Sequence, residues 1–288
     1  HLCDRRQRQM CIRDRGKTMK FSISSTLNAG ENRKQLYGNI FQMSMAEIQN
    51  MCKAGVIHQM AHVGDTISDG TYTYTIIGIN QDKPSDESGN LLPENSYGDV
   101  LTVMPLGAPK GSTNGQPVTM NAGATPWGVN YAMMGASGLN SGSWASSRMR
   151  STTMPQYLAK LPQATQNAIG YVQKVTGTYN GNTSGGSNSV TGDKCFLLSG
   201  KEIFGGSGAS NGSYCTTNEA NATFQYQYFQ SIATTPASRN INSSASEMWW
   251  LRSQFWTSSN IFCAIYEGNF AEHDGSYSHG VFAAFCIY

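Results

Sequence analysis

The chain of 288 residues is poor in charged side chains and has no long apolar run. Only 13% of its residues are Asp, Glu, Lys or Arg. No apolar stretch approaches the roughly 18 residues that a membrane-spanning helix needs. The segment that begins at Met19 also lacks the apolar core of a secretory signal peptide. We therefore expect a protein that is made in the cytoplasm and has no membrane span.

A basic excess is also missing once the first 18 residues are set aside. They include the segment MCIRDR, which looks like the translated end of a sequencing adaptor, so we expect residues 1–18 to be a non-native leader. These residues hold six of the 20 basic residues and two of the 18 acidic ones, which leaves 14 basic and 16 acidic residues. A net charge of about −2 gives no support to a partner that is a nucleic acid or another polyanion.

Sequence signals of common catalytic and metal sites are absent as well. Five cysteines follow residue 18, none of them in a CxxC motif: Cys52, Cys195, Cys215, Cys263 and Cys286. Free buried thiols in a reducing compartment are the prediction. The sequence has no glycine-rich phosphate loop and no nucleophile–base pair at a recognisable spacing. We therefore assign no catalytic residue, no metal ligand and no cofactor.

The order of the predicted elements favours an α+β fold, because helices come early and short strands come late without βαβ alternation. Two capping boxes, Ser44 with Glu47 and Ser199 with Glu202, predict helix starts. Further helices are predicted at 143–150, from Pro155 and at 224–232. Strands are predicted at 71–79, 100–106 and 194–199, whereas 82–99 and 180–193 are predicted loops and 107–142 has no clear period.

The last forty residues, 249–288, are the most informative part of the chain. They contain three of its five tryptophans, 11 of its 30 aromatic residues, no lysine and one arginine, Arg252. Strand-like apolar pieces at 249–251, 261–265 and 281–287 alternate with pieces rich in Ser, Asn, Tyr, His, Asp and Gly. Those polar and aromatic residues are typical of adaptable binding loops. This composition predicts a binding surface.

Five motifs in order resemble a known family. They are VGD before TYTYTIIGI (63–79), WASSRMR (144–150), DKCFLLS (193–199), WWLRS (249–253) and the ending GV…FCI (280–287). Together they resemble the target proteins of diversity-generating retroelements of phages and bacteria, which have a C-type-lectin-like fold in the variant that formylglycine-generating enzymes share. The resemblance implies a domain over 44–288 with a variable region at 249–288, preceded by an N-terminal segment, 19–43. One departure is Phe282-Ala283-Ala284, where the family often has Arg-Pro-Ala.

The resemblance also implies which positions vary. In that family a mutagenic reverse transcriptase rewrites adenines at the 3′ end of the gene, and many variable codons begin as AAY. Trp256 and Glu272 are not reachable from AAY, and Phe282 lies at the departure, but we include all three. The expected ligand-binding residues are Phe255, Trp256, Ser258, Asn260, Tyr266, Asn269, Glu272, His273, Asp274, Ser276, Tyr277, His279 and Phe282. We expect these side chains to form a single exposed face.

Several residues have a plain structural interpretation beside a chemical one. His273, Asp274 and His279 could hold zinc, but we interpret them as recognition side chains, and the calcium signatures of lectins (EPN, WND) are missing. Cys263 and Cys286 could bind copper, as in the formylglycine-generating enzymes, but buried thiols are favoured. We expect Arg252 to be buried and bonded to loop carbonyls. At most one of Trp249 and Trp250 can stack a ligand on a given face of a strand.

These inferences lead to a functional hypothesis. We expect a display protein without enzymatic activity that binds a protein or glycan ligand on a host or neighbouring cell surface. It would be a receptor-binding protein of a phage or an adhesion protein of a bacterium, attached to a virion or displayed through a partner. The alternative is a formylglycine-generating-type oxidase of the same fold. The oligomeric state is not predicted.

Overall fold

A computed structural model describes residues 13–14, 17–18, 40–105, 130–132, 143–178, 187–205, 219, 223–239, 248–255 and 261–288. Six α-helices lie in these ranges: α1 (Met45–Lys53), α2 (Met154–Ala159), α3 (Gln163–Ala168), α4 (Gly200–Phe204), α5 (Gln227–Ser231) and α6 (Pro236–Arg239). Short 3₁₀ turns cover Ile40–Gln42, Ile57–Gln59, Glu94–Ser96 and Trp144–Ser146, and a π-helical turn covers Met149–Thr153. None of the helices in these ranges is long and apolar enough to cross a membrane.

The strands of the described ranges are short, and together with the helices they make an α+β fold. In chain order they are β1 (Arg13–Asp14), β2 (Lys17–Thr18), β3 (Thr66–Ser68), β4 (Thr73–Ile79), β5 (Leu101–Met104), β6 (Asn130–Ala132), β7 (Ile169–Gly170), β8 (Val172–Thr178), β9 (Ser187–Asp193), β10 (Cys195–Phe196), β11 (Trp249–Gln254), β12 (Ile261–Tyr266), β13 (Asn269–Asp274), β14 (Ser278–Gly280) and β15 (Ala284–Ile287). β1 and β2 pair only with each other.

Two larger sheets organise the protein. The first has the order β10-β15-β5-β4-β3, and β7 also pairs with β15. In it, strand β15 from the C-terminus lies antiparallel to β5, with Phe285 opposite Val103. The second sheet has the order β13-β12-β11-β14-β6 and contains most of residues 249–288. A separate hairpin joins β8 and β9. The C-terminal strands thus make up most of the second sheet, and the last strand, β15, belongs to the first sheet.

The two capping boxes start helices as the sequence predicts. Ser44 accepts the backbone N–H of Glu47 and the Glu47 carboxylate accepts the N–H of Ser44, which satisfies two of the free donors of helix α1. Ser199 and Glu202 do the same for α4. Helix α1 buries Ile48 and ends before Gly55, whose φ of +65° suits glycine.

Two predictions of local structure are wrong. Residues 187–193, predicted as loop, form strand β9, and its partner β8 was not predicted at all. Residues 269–274 and 278–280, predicted as loop, form β13 and β14. The polar side chains of these strands misled the prediction, because a strand needs only one buried face. The helix predicted at 143–150 is two short turns separated at Ser147.

Hydrogen bonds join the motifs that carry the family resemblance. The indole N–H of Trp144 and the guanidinium of Arg150 both donate to the Asp193 carboxylate, at 2.8 Å and 2.6 Å. The backbone N–H and the guanidinium of Arg252 donate to the carbonyls of Leu198 and Leu197, both at 2.9 Å. Motifs that are distant in the chain are therefore in direct contact in the fold.

Candidate functional site

Strand β11 is the buried centre of the C-terminal sheet. All six of its residues are buried, and β12 and β14 flank it on either side. Trp249 packs edge-on against Phe282 at 5.8 Å between ring centroids, and Trp250 packs against Phe262 at 6.5 Å. Both tryptophans are at most 1% exposed, so both belong to the core and neither is available to stack an external ligand.

The pairing of β12 with β13 determines which face each candidate residue occupies. Tyr266 lies opposite Asn269 and Phe262 opposite His273, whereas Ile261 lies opposite Asp274. Directly paired residues share a face and successive residues alternate. Tyr266, Asn269 and His273 therefore share one face, and Glu272 and Asp274 belong to the other. The expectation of a single exposed face is wrong for this strand.

A row of rings crosses the first of these faces. The His279 ring lies 4.6 Å from Trp250 and 4.7 Å from His273, and the Tyr277 ring lies 4.3 Å from His273. His273 Nδ1 and His279 Nε2 share a hydrogen bond of 2.6 Å. We call Trp250, His279, His273 and Tyr277 the aromatic row. It runs from the buried Trp250 to Tyr277, which is 56% exposed, so it connects the core to a surface that a ligand can reach.

The inner histidine of the aromatic row, His279, is favoured in its neutral state. Burial, and to a smaller extent the neighbouring His273, lower the pKa of His279 to about 4. A neutral imidazole can accept one hydrogen bond and donate another, which suits the short contact with His273. Near neutral pH His279 therefore adds aromatic area and an uncharged hydrogen-bonding group to the row.

The turn after β13 is held by two of the expected ligand-binding residues. The backbone N–H and hydroxyl of Ser276 donate to Asp274 Oδ1 at 2.9 Å and 2.7 Å. The backbone N–H of Tyr277 donates to the Asp274 carbonyl at 3.0 Å. Asp274 and Ser276 are half-buried, and these bonds set the position of Tyr277. Asp274 and Ser276 therefore hold the turn in place in addition to offering polar groups.

The opposite face carries a second aromatic group. Phe255 stacks on Phe270 at 6.0 Å, and Phe204 meets Phe270 edge-on at 6.2 Å. The Arg239 guanidinium lies 5.1 Å from the Phe204 ring centroid, a cation–π distance. Phe255 is half-buried in this group, whereas Glu272 on the same face of β13 is exposed. Phe255 is thus separated from the aromatic row by the thickness of the sheet.

The structure sorts the thirteen expected ligand-binding residues into four sets. Tyr266, Asn269, Glu272 and Tyr277 are exposed, and Phe255, His273, Asp274, Ser276 and His279 are half-buried. Trp256, Ser258 and Asn260 lie outside the described residues. Phe282 is fully buried against Trp249, so its assignment to an exposed face is wrong. The Phe282 side chain instead fills a site in the core.

A network of buried charges lies beneath β11, and sequence reasoning found only one member of it. The Arg252 guanidinium bonds both oxygens of Glu202, at 2.5 Å and 2.8 Å, and also contacts Thr176 Oγ1 and the Val175 carbonyl. Lys174 on β8 bonds Asp82 at 2.5 Å and Glu202 at 3.3 Å. The prediction that Arg252 is buried and bonded to carbonyls is confirmed; its carboxylate partner was not predicted.

The electrostatics of this network are balanced. Burial alone raises the pKa of Glu202, but the charges of Arg252 and Lys174 outweigh it and lower that pKa to about 2. Burial raises the pKa of Glu219, which accepts hydrogen bonds from Ser253 Oγ and the Gly177 N–H. Two cations, Arg252 and Lys174, face the carboxylates of Asp82 and Glu202. Buried charges are tolerated only when paired in this way.

One sequence signal could have revealed the lysine. Val172, Lys174 and Thr176 alternate along β8, and all three are buried. A lysine at an inward position of an alternating strand requires a buried acidic partner. The partners Asp82 and Glu202 are distant in sequence, so the pattern could predict a buried pair but not its members.

The described residues contain no group of three His, Cys, Asp or Glu side chains able to hold a metal ion. Cys263 and Cys286 are fully buried and belong to different sheets. Burial and the nearby Asp82 raise the pKa of Cys286, which favours the thiol over the reactive thiolate. The four described cysteines after residue 18, Cys52, Cys195, Cys263 and Cys286, are buried thiols, as predicted.

The fold and the site define an α+β protein whose C-terminal sheet has a buried centre and an edge strand with exposed side chains. Residues 130–288 match the family DUF6273, a domain of unknown function, and the chain belongs to that family. No curated protein and no solved structure matches the chain. The matched range contains four of the five motifs and the whole candidate site.

Proposed function

We propose that this protein binds a protein or glycan ligand through the edge of its C-terminal sheet, and that a retroelement diversifies this region. The proposal includes a C-type-lectin-like fold and a role as a phage receptor-binding or bacterial adhesion protein. Its support is the resemblance together with the positions of the C-terminal segments: WWLRS lies on β11, the predicted strand-like piece 261–265 on β12 and the final FCI on β15. These segments are thus strands of the two larger sheets.

The observation that carries the proposal is a separation within the C-terminal sheet. The buried side chains of its central strands β11 and β12 form what we call the frame, and the exposed side chains beside them form the edge. Trp250, Phe262 and Ile265 are fully buried, whereas Tyr266 and Tyr277 are 37% and 56% exposed. Those two tyrosines are among only five large apolar or aromatic side chains that are exposed in the described part of the chain. Exposed tyrosines on a rigid support are typical anchors of recognition surfaces.

The chemistry of the edge indicates the kind of ligand. Tyr266, Asn269, His273 and Tyr277 supply aromatic area and hydrogen-bonding groups on one face of the sheet. Such a surface suits a neutral or weakly polar epitope, either a peptide loop or a sugar ring. Glu272 and Asp274, on the other face, add negative charge to the rim and disfavour acidic partners.

The oxidase alternative has less support. A copper or redox pair needs two thiols that are close together and can be reached, and Cys263 and Cys286 are fully buried in separate sheets. The proposal therefore assigns no chemical step to this region. A purified chain that held one copper per molecule through either cysteine would favour the oxidase instead.

A binding screen with paired variants tests the proposal. The purified chain is screened against host-surface proteins and glycans, beside a variant with Tyr266→Ala, Asn269→Ala and Tyr277→Ala. We expect ligands that the triple variant loses by at least about tenfold, which corresponds to about 1.4 kcal/mol.

The matched control is Leu91→Ala with Val190→Ala, which removes exposed apolar side chains, 49% and 48% exposed, outside the C-terminal sheet. This control should keep every ligand. Ligands that survive the triple variant and disappear in the control would assign binding to another surface and contradict the proposal.

A further inference from the structure

The Lys174 amine is buried in contact with the carboxyl group of Asp82. The side chain is 2% exposed, and its Nζ lies 2.5 Å from Asp82 Oδ1, 2.8 Å from the Tyr226 hydroxyl and 3.3 Å from Glu202 Oε1. The Phe196 ring covers the amine at 3.7 Å from its centroid. The distance to Asp82 is shorter than the roughly 2.7–2.9 Å of ordinary charge-assisted N–H···O bonds. The amine and the carboxyl group are therefore in direct hydrogen-bond contact.

The two oxygens of Asp82 have different surroundings. Oδ1 faces Lys174, whereas Oδ2 accepts hydrogen bonds from the hydroxyls of Thr102, at 2.6 Å, and Tyr226, at 2.7 Å. The Cys286 thiol lies 3.4 Å from the same oxygen. Donors fixed around one oxygen of a carboxyl group are what stabilises the oxyanion when a nucleophile adds to its carbon. Ordinary ion pairing does not require this asymmetry.

We propose that Lys174 and Asp82 condense after folding into an intramolecular amide bond, with Glu202 as the proton carrier. Such a bond would be a covalent modification that the folded protein performs on itself. It needs no co-reactant, because an amine and a carboxylic acid give an amide and water. Contact in a buried site supplies the high effective concentration that the uncatalysed reaction lacks.

The steps balance as follows. Transfer of one proton from Lys174 to Asp82 Oδ1 converts the ion pair into a neutral amine and a carboxylic acid, which a poorly solvated site tolerates better than separated charges. Nζ then attacks Cγ, the N–C bond forms, and the C=O electron pair moves onto Oδ2, where Thr102 and Tyr226 donate to it. The nitrogen, now positive, releases a proton to Glu202.

Glu202 next passes this proton to the Oδ1 hydroxyl, which leaves as water while the electron pair on Oδ2 restores the C=O bond. The amide nitrogen keeps one hydrogen, and Glu202 returns to its carboxylate form. One positive and one negative charge disappear together, so Arg252 and Glu202 remain as a balanced pair. The bond would tie β8 to the segment after β4, two positions that are 92 residues apart in the chain.

Mass spectrometry of the denatured full-length chain tests the proposal directly. We expect the intact mass to be lower than the sequence mass by one water molecule, and digestion to release one branched peptide that joins Asp82 and Lys174. Asp82→Asn should instead lose one ammonia, since an amide can serve as the acyl donor. Lys174→Arg keeps the charge but should show its full sequence mass. A wild-type chain at full sequence mass overturns the proposal, and so does a branched peptide between other residues.

A second variant tests the role of Glu202. Glu202→Gln retains the amine and the acid, and after refolding it should acquire the mass loss at least about a hundredfold more slowly than wild type, the lower end of the usual range for loss of a general base. Asp193→Asn, which changes a buried carboxylate outside the network, should react at the wild-type rate. Equal rates for Glu202→Gln and wild type would exclude Glu202 as the proton carrier.

Discussion

Replacing Arg252 by Met tests whether the buried charges hold the frame of the C-terminal sheet. Arg252 is fully buried, and its guanidinium bonds both oxygens of Glu202 and the carbonyls of Leu197 and Val175. Methionine fills much of the same volume but donates no hydrogen bond. The substitution therefore leaves the Glu202 carboxylate buried without its main partner, and the Lys174 nitrogen, at 3.3 Å, is the other group of the network beside it.

The magnitude follows from the cost of an unpaired buried charge. Removing one partner of a buried ion pair typically costs about 3–5 kcal/mol. At roughly 2–4 °C per kcal/mol for a domain of this size, the melting temperature should fall by about 6–20 °C. Arg150→Met is the matched control, because Arg150 pairs with Asp193 at 2.6 Å but its side chain is 26% exposed. Its loss should be smaller, about 1–2 kcal/mol.

Thermal melts followed by circular dichroism measure both variants under one condition. A double variant, Arg252→Met with Glu202→Gln, should recover part of the loss, because it removes the orphaned carboxylate charge. If Arg252→Met melts within a degree of wild type, or loses less than Arg150→Met, the network does not stabilise the frame. The reasoning about β11 would then be wrong.

Three further changes separate frame from edge and can be measured in the same melts. Trp250→Ala should cost about 3–5 kcal/mol and Tyr277→Ala no more than about 0.5, and the reverse order would contradict the division. Gly268→Ala should cost about 2–4 kcal/mol, because φ is +75° and a Cβ would overlap the Pro236 carbonyl; an unchanged melting temperature would exclude this strain. Folding lowers the pKa of His279 from 6.5 to about 4, so the folded protein favours the neutral ring. The contribution of this ring to stability is therefore present above pH 6.5 and is lost as the pH falls toward 4. Solvent screening at this half-buried ring reduces that effect to about 1 kcal/mol, and His279→Phe should flatten the pH dependence in this window.

The sequence predicts the parts of this fold that rest on local rules. The capping boxes at Ser44 and Ser199, and the alternating β-branched run that ends at Ile79, each carry their signal within a few residues, and all three form as predicted. The motif WWLRS and the apolar piece 261–265 indicate the central strands β11 and β12. These elements need no knowledge of distant partners, which is why their signals are readable.

The errors arise where long-range packing decides. The hairpin of β8 and β9 consists of polar residues around one buried row, so its pattern resembles a loop until its neighbours are known. Phe282 was expected on the surface because the resemblance gave its place in the chain but not its packing against Trp249. The division of β13 between two faces follows from its register with β12, which the sequence does not specify.

The central claim is that the exposed edge of the C-terminal sheet varies while its buried frame does not. Sequencing many near-identical copies of the gene from one natural population tests it directly. We predict substitutions at adenines in the 3′ end of the gene, concentrated in the codons of Tyr266, Asn269, His273 and Tyr277, with the codons for β11 unchanged. Substitutions spread evenly along the gene, or as frequent at Trp250 as at Tyr277, would contradict the account.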